Sequence, residues 1–144
     1  MFFRRFKKTI RNILIVEDEP LVAFDNELHL EEAGYKVVAT LDNAAEAMSW
    51  MEKEQVQLVL ADIRLRGGDS GVDVAKAAHD RGIAVLFATG ACPKEARELA
   101  AGCLTKPYSA KELVRAVQAV DLLIRGEKLK SMPRALTLYH PVED

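Results

Sequence analysis

Ionisable and hydroxyl side chains follow four short apolar segments of the chain, each at the point where the segment ends. These side chains are Glu17 and Asp18 after NILIV, Asp62 after LVLA, Thr89 at the end of IAVLFAT, and Lys106 after CLT. The apolar segments themselves contain almost no polar residues. This concentration of polar groups at the segment ends indicates a functional site.

The carboxylates of such a site would repel one another if they shared one pocket. Two like charges at ~4 Å repel by about 4 kcal/mol at an effective dielectric constant near 20. The repulsion is relieved if the pKa of one group rises or if a cation binds. A pocket of carboxylate oxygens suits a hard divalent ion such as Mg²⁺, which also binds phosphate oxygens. We therefore expect Mg²⁺ beside Glu17, Asp18 and Asp62.

The same residue types are suited to phosphoryl transfer. A carboxylate oxygen of Asp62 can attack phosphorus, as in enzymes that form an aspartyl phosphate. The metal and Lys106 would neutralise charge on the transferring oxygens, and the Thr89 hydroxyl can donate to one of them. Glycines 67, 68 and 71 are expected to keep the loop after Asp62 mobile and open to a large partner.

The elements that must position these residues alternate between strand and helix. We expect strands at 12–16, 35–40, 56–62, 83–89 and in CLTKP. Leu21, Phe24 and Leu28 have the spacing of a first, amphipathic helix that begins at Pro20. Further helices are expected from Asp42 or Asn43 to about Lys53, from Val72 to Arg81, from Pro93 to about Ala101, and after the cap Ser109. Five β–α units predict a doubly wound parallel α/β sheet, with a ligand crevice at the carboxyl ends of the strands.

Length and charge limit the classes of function. The 144 residues predict a single domain at 12–125, with an N-terminal extension at 1–11 and a C-terminal tail at 126–144. The extension contains the basic and aromatic segment FFRRFKK, and the sequence leaves open whether tail residues Leu136, Leu138 and Tyr139 pack on the domain or on a partner. A net charge of −2 gives little support for generic nucleic-acid binding, and no apolar run approaches membrane-spanning length. Cys92 and Cys103 lack metal or redox spacing, so we interpret them as free thiols in the cytosol.

Four segments together resemble a known family. ILIVEDEP, LVLADIRL, FATG and LTKPYS are similar, in order and spacing, to the receiver domain of two-component response regulators, over about residues 12–125. The resemblance implies a flavodoxin-like (βα)₅ fold with strand order 2-1-3-4-5. It also implies that Asp62 is the phosphoacceptor, Thr89 the switch hydroxyl and Lys106 the phosphate-contacting lysine, with Pro107 in the cis form. The metal ligands that it implies for Mg²⁺ are Glu17, Asp18, Asp62 and the backbone carbonyl of Arg64.

The resemblance further implies a way of signalling. The phosphoryl group would come from a histidine kinase or a phosphotransfer protein, and water would later remove it. The chain would catalyse its own phosphorylation and dephosphorylation and would have no separate enzymatic effector activity. Output would be protein–protein contact with a downstream target, or a phosphorelay, by a cytoplasmic monomer or weak dimer. The usual receiver contact surface, around strand 5 and its flanking helices, would include Lys94, Arg97, Lys111 and Arg115.

One position departs from the family pattern. Receivers carry an aromatic residue three positions before the lysine, and here that position is Cys103. The FATG segment resembles a subgroup of stand-alone receivers, the FAT-GUY type, that lack this aromatic residue and in which the loop after strand 4 is expected to reorganise instead.

Two other functions are weighed against a phosphate-accepting receiver. One is a phosphorylation-independent pseudo-receiver that only binds partners, against which the intact set of polar residues argues. The other is a small flavin or nucleotide binder on the same fold. No glycine-rich phosphate loop follows the first strand, and the acidic segment EDEP would repel a phosphate in the absence of metal.

Overall fold

The computed structural model describes residues 9–68 and 70–139, so the segment FFRRFKK lies outside the described residues. Within them, one six-stranded sheet has the order β2-β1-β3-β4-β5-β6. The strands are β1 (Asn12–Val16), β2 (Lys36–Leu41), β3 (Leu58–Ala61), β4 (Ala84–Thr89), β5 (Gly102–Thr105) and β6 (Leu136–Leu138). The first five are parallel, and β6 runs antiparallel to β5. The expected α/β class and the order 2-1-3-4-5 are confirmed for the five parallel strands.

Four α-helices connect or follow the strands in the described part of the chain. They are α1 (Pro20–Glu32), α2 (Ala44–Lys53), α3 (Gly71–Asp80) and α4 (Ala110–Ile124). Local side chains satisfy the free amides at three of the helix starts, because Asn43, Ser70 and Ser109 each accept a hydrogen bond from an amide of the first turn. Ser109 and Glu112 form a full capping box. None of the described helices has the length and apolarity needed to cross a membrane.

Two hydrophobic cores lie on opposite faces of the sheet. Successive side chains of a strand point to opposite faces, so Ile13 and Ile15 join one core while Leu14 and Val16 join the other. The first core includes Leu30 of α1 and residues of α4, and the second includes residues of α2 and α3. Burial on both faces explains why the strands are almost wholly apolar and why polar side chains appear only at their ends.

The apolar stripe that predicted α1 does not face the core. Leu21, Phe24 and Leu28 are 81%, 64% and 42% exposed, whereas Ala23 and Leu30 are buried. The spacing of the stripe was correct for a helix, but a different face of α1, with Ala23, Asn26 and Leu30, packs against the rest of the domain. An exposed apolar stripe therefore runs along α1.

The prediction of a helix from Pro93 to about Ala101 is wrong. One 3₁₀ turn at Arg97–Leu99 is the regular structure between β4 and β5. Both ends of the segment are held by other parts of the fold, since Cys92 is bonded to β5 and the Ala101 amide donates to the Val85 carbonyl. Ala96 and Ala100 are nevertheless buried in the second core, so tertiary contacts hold the segment in place without a regular helix.

The C-terminal tail packs on the domain. Leu136 and Leu138 of β6 pair with Leu104 and Gly102 of β5, and the Tyr139 amide donates to the Ala101 carbonyl at 3.0 Å. A Cβ atom on Gly102 would lie 2.6 Å from the Thr137 carbonyl oxygen. Glycine is therefore needed in β5 for the tail to approach so closely, and the open edge of β5 is covered by β6.

Candidate functional site

The parallel sheet brings the predicted site residues to one edge. Because β1, β3, β4 and β5 are successive neighbours, their carboxyl ends form a continuous rim. Thr89 is the last residue of β4, and Glu17, Asp62 and Lys106 are the first residues after β1, β3 and β5. Asp18 follows Glu17, so all five predicted residues lie along this rim.

Lys106 links the buried carboxylates of the rim. Its Nζ lies 2.9 Å from Asp62 Oδ2 and 2.9 Å from Glu17 Oε1, and 3.8 Å from Oε2 of the exposed Glu19. Glu17 and Asp62 are only 4% and 7% exposed. Two buried carboxylates this close to one ammonium group form a charge-paired cluster, in which one cation faces two or three anions.

The surrounding backbone holds the carboxylate of Asp62 in one orientation. The Ile63 amide donates to Asp62 Oδ1 at 2.7 Å, while Lys106 donates to Oδ2 at 2.9 Å. The Asp62 amide donates in turn to the Val16 carbonyl of β1. With both oxygens engaged, the carboxyl group is fixed relative to β1, β3 and β5.

Gly71 has a different role from the one expected. It was expected to keep the loop after Asp62 mobile, but it is buried, and a Cβ atom added there would overlap the carbonyl of Asp62. The Gly71 amide also donates to the Ile63 carbonyl at 2.7 Å. Gly71 therefore lets the start of α3 pack directly on the backbone of Asp62. In the exposed part of the loop, Gly67 and Gly68 have positive φ values of 74° and 83°, which glycine adopts readily.

Burial and charge pairing act in opposite directions on the ionisable groups of the cluster. Burial raises the pKa of Glu17 above its ordinary value, against the lowering effect of its hydrogen bond with Lys106. Burial alone would lower the pKa of Lys106, but the hydrogen bonds with Asp62 and Glu17 outweigh it and raise that pKa. Lys106 therefore stays protonated, and the pocket carries an excess of negative charge.

The carboxylates are placed as a set of metal ligands would be. One oxygen each from Glu17, Asp18 and Asp62 can be chosen so that all lie within 4.8 Å of one another. Hard oxygen donors at this spacing, with a negative excess that one lysine does not cancel, fit the chemistry of Mg²⁺. The backbone carbonyl of Arg64 was the fourth expected ligand, and Arg64 lines the same cleft.

A cleft of about 770 Å³ opens above the cluster. Thr89, 5% exposed, forms part of its wall, and the loop after β4 forms one side. The residues that line the cleft are Asp18, Glu19, Asp62, Ile63, Arg64, Thr89, Gly90, Ala91, Cys92, Pro93, Lys94, Glu95 and Lys106. The cleft is therefore acidic at its base and is bounded by the loop at 90–95.

Two features near the site were not predicted. Glu19 joins the ion-pair cluster, and nothing in the segment EDE indicated that this third acidic residue would also lie near Lys106. The Tyr108 hydroxyl lies 3.1 Å from Asn26 Oδ1, a buried polar group of α1, and so ties the segment after Lys106 to that helix.

The peptide bond between Lys106 and Pro107 is cis, as the family resemblance implied.

The expectation that the two cysteines are free thiols is wrong. Cys92 and Cys103 form a disulfide, with their Cα atoms 6.1 Å apart. Their separation of 11 residues matches no redox motif, so the sequence carried no signal for the pair. The tertiary fold brings them together, because the loop after β4 turns back over the neighbouring strand β5.

The fold and the rim together define a class of protein: doubly wound parallel α/β domains with an acidic pocket bridged by a lysine at the carboxyl ends of the strands. The chain belongs to the response regulator receiver domain family, whose family model matches residues 13–118.

Individual relatives agree with this family. The chain is 31% identical over 114 residues to the transcriptional regulatory protein PdtaR of Mycobacterium tuberculosis, covering 75% of this chain and 55% of PdtaR. It is similar to the crystal structure of the response regulator PhyR from Brucella abortus, with a TM-score of 0.68, 33% identity and coverage of 83% of this chain and 50% of that one. A CheY-like receiver domain protein from Methanospirillum hungatei has a TM-score of 0.68 at 26% identity, covering 76% of this chain and 92% of its own. The chain spans about half the length of PdtaR and of PhyR from Brucella abortus.

Proposed function

We propose that this receiver accepts a phosphoryl group on Asp62 from a histidine kinase or a phosphotransfer protein and signals by protein contact or phosphorelay. The observation that carries the proposal is the pairing of Lys106 Nζ with Asp62 Oδ2 at 2.9 Å, beside the oxygens of Glu17 and Asp18. A nucleophilic carboxylate, a fixed cation and a set of metal ligands are the parts that phosphoryl transfer needs.

The proposed step balances as a substitution at phosphorus. An oxygen of Asp62 forms a P–O bond as the P–N bond of the donor phosphohistidine breaks, and the imidazole leaves and takes up a proton. Lys106 neutralises charge on the phosphoryl oxygens, and the Thr89 hydroxyl donates to one of them. Mg²⁺, held by Glu17, Asp18, Asp62 and the Arg64 carbonyl, would supply further neutralisation of phosphoryl charge when bound. Water later attacks phosphorus and releases phosphate, which returns Asp62 to its carboxylate form.

The exposed stripe of α1 supports a protein as the donor. Leu21 and Phe24 follow closely after Glu19, which lines the cleft. Large apolar side chains so exposed beside a reactive pocket are suited to contact with a partner protein. We propose that the histidine-bearing donor packs on this stripe while it presents its phosphohistidine to the cleft.

The main test is phosphorylation of the purified full chain by acetyl phosphate, with and without Mg²⁺. Phosphorylated protein should accumulate only with Mg²⁺, and Asp62→Asn should lose it while circular dichroism shows the fold unchanged. Asp73→Asn, which removes an exposed carboxylate of α3, is the matched control and should be labelled normally. Labelling that persists in Asp62→Asn would refute the assignment of the acceptor.

The stripe is tested by comparing two donors. Phe24→Ser should slow transfer from a phosphorylated histidine kinase or phosphotransfer protein but leave transfer from acetyl phosphate unchanged. Leu28→Ser lies further from the cleft on the same stripe and should have a smaller effect. Equal effects of Phe24→Ser on both donors would show that the substitution damages the pocket and does not act on docking.

A binding module that never carries phosphate is the alternative. It predicts no labelling with any donor, and no change in the spectrum of amide resonances when beryllofluoride and Mg²⁺ are added. In either case we propose a cytoplasmic protein, monomeric or weakly dimeric, whose partners are proteins and not nucleic acids.

A further inference from the structure

The cysteine pair lies where the wall of the cleft meets the sheet. Cys92 is half-buried and lines the cleft, three residues after Thr89, whereas Cys103 is fully buried in β5. Their Cα separation of 6.1 Å is within the range of about 4.4–6.8 Å that a disulfide needs without movement of the backbone. One end of the bond is therefore open to small molecules that enter the cleft, and the other end is anchored in the core.

The bond holds a segment that has little other regular structure. Between β4 and β5, one 3₁₀ turn at Arg97–Leu99 is the regular element of the described chain. Gly90 and Ala91, which connect Thr89 to Cys92, are exposed, and a Cβ atom on Gly90 would meet nothing within 4 Å. Lys94 and Glu95 are exposed as well, whereas Ala96 is buried in the second core. The part of the loop before Ala96 therefore has space to shift once the bond to β5 is broken.

We propose that Cys92 and Cys103 are a reversible redox modification site that reacts with a low-molecular-weight thiol–disulfide couple and controls the position of the loop at 90–95. In the disulfide form the loop is tied to β5, and in the dithiol form it is released. In a reducing cytosol, which belongs to the proposed function, protein disulfides are usually transient and serve catalysis or redox sensing, and this fits a bond whose Cys92 end lines the cleft.

The chemistry is two successive thiol–disulfide exchanges. A small-molecule thiolate attacks the accessible Cys92 sulfur, an S–S bond forms between them, and Cys103 leaves as a thiolate that takes up a proton. A second small-molecule thiol then displaces Cys92, which also becomes a thiol. In sum, two thiols are oxidised to one small-molecule disulfide, and the protein disulfide is reduced to two thiols.

The site is tested first without reference to phosphorylation. The full chain is equilibrated anaerobically in mixtures of reduced and oxidised glutathione, quenched with acid, and alkylated with N-ethylmaleimide under denaturing conditions. Intact mass should shift from no adduct to two adducts as the mixture becomes more reducing. Two alkylated thiols in every mixture, or none even in the most reducing one, would overturn the proposal.

Control of the loop is tested by hydrogen exchange of the two forms. The amides of residues 90–92, 94 and 95 should exchange at least about fivefold faster in the dithiol form, while those of β1 and β3 are unchanged. Cys92→Ser cannot form the bond and should behave as the dithiol form under both oxidising and reducing conditions. Identical exchange in both forms would show that the bond does not control the loop.

A consequence for signalling rests on the proposed function. The loop adjoins Thr89, so the rate of labelling by acetyl phosphate should differ between the two redox forms by about fivefold or more. Absence of labelling in both forms would refute the proposed phosphoacceptor and leave the exchange and alkylation results standing. Equal labelling in both forms and in Cys92→Ser would refute the redox link alone.

Discussion

The acidic pocket and a neighbouring region, formed by the loop after β4 and by β6, which both contact β5, are built in different ways. The neighbouring region is called the loop–β6 region below. In the pocket, each key group follows directly from the end of a buried strand and is held by short hydrogen bonds, as Asp62 is by Ile63 and Lys106. In the loop–β6 region, the chain between β4 and β5 has one 3₁₀ turn and is tied to β5 by a disulfide, and β6 from the C-terminal tail pairs with the edge of β5.

The two regions are therefore expected to have different roles. The pocket depends on contacts between neighbouring parallel strands, and its residues are those that the family resemblance implies. The loop–β6 region depends instead on a disulfide to β5 and on an antiparallel strand added at the edge of the sheet. It also has Cys103 where the family resemblance implies an aromatic residue. We therefore expect substitutions in the pocket to change phosphoryl transfer. Substitutions in the loop–β6 region are expected to change stability and local motion.

The largest effect is expected from Lys106→Gln. Loss of the cation that pairs with Asp62 should slow labelling by acetyl phosphate by about 100- to 1000-fold, because one fixed positive donor contributes about that much. Lys94→Gln is the matched control, since Lys94 lines the same cleft from the loop side. If the two variants were slowed equally, the division between pocket and loop would be wrong.

Gly71→Ala should be the most destabilising glycine substitution. The added methyl group would overlap the carbonyl of Asp62, so α3 or the strand end must shift, at a cost of about 1–3 kcal/mol in the free energy of unfolding. Gly90→Ala is the control, because a Cβ atom there meets nothing within 4 Å. Urea denaturation compares the two, and equal midpoints would contradict the close approach at Gly71.

Gly102→Ala should act on the tail and spare the pocket. Its Cβ atom would lie 2.6 Å from the Thr137 carbonyl oxygen, so β6 should be displaced from β5. We expect a loss of about 1–2 kcal/mol of stability and faster hydrogen exchange of the amides at 136–139. Labelling by acetyl phosphate should stay near the wild-type rate, and a large loss of labelling would instead couple the tail to the pocket.

The smallest effect is expected from Tyr139→Phe. Among the residues that the structure describes, the buried Tyr139 hydroxyl has no hydrogen-bond partner, so its removal should stabilise the protein by up to about 1 kcal/mol. Tyr108→Phe removes a hydroxyl that is bonded to Asn26, and should be destabilising. Stabilisation by both substitutions, measured by urea denaturation, would contradict the distinction between the two hydroxyls.

The same tyrosine predicts a dependence on pH. Burial raises the pKa of Tyr139, against a smaller lowering effect of Arg97. An acid whose pKa is higher in the folded state loses its proton first in the unfolded state, so stability falls as the pH rises above about 10. The advantage of Tyr139→Phe should therefore grow in alkaline solution, and an advantage independent of pH would show that the hydroxyl titrates normally.

The sequence was sufficient for the five parallel strands and for the five predicted residues at their carboxyl ends. An apolar strand that is buried on both faces must place its polar residues at its ends, and parallel strands bring those ends together. NILIV, LVLA, IAVLFAT and CLT therefore indicated the order of the elements and which residues would meet, and Asn43 and Ser109 indicated where two of the helices begin. These are local patterns, and local patterns can be interpreted one segment at a time.

The tertiary structure decided what depends on two distant segments at once. Four features follow from surfaces that meet only in the folded chain. They are the burial of the Ala23 and Leu30 face of α1, the pairing of Cys92 with Cys103, the close contact of Gly71 with Asp62 and the addition of β6 to the sheet. Spacing along the chain carries no information about such contacts, because their energy comes from packing between segments and not from the conformational preference of either one.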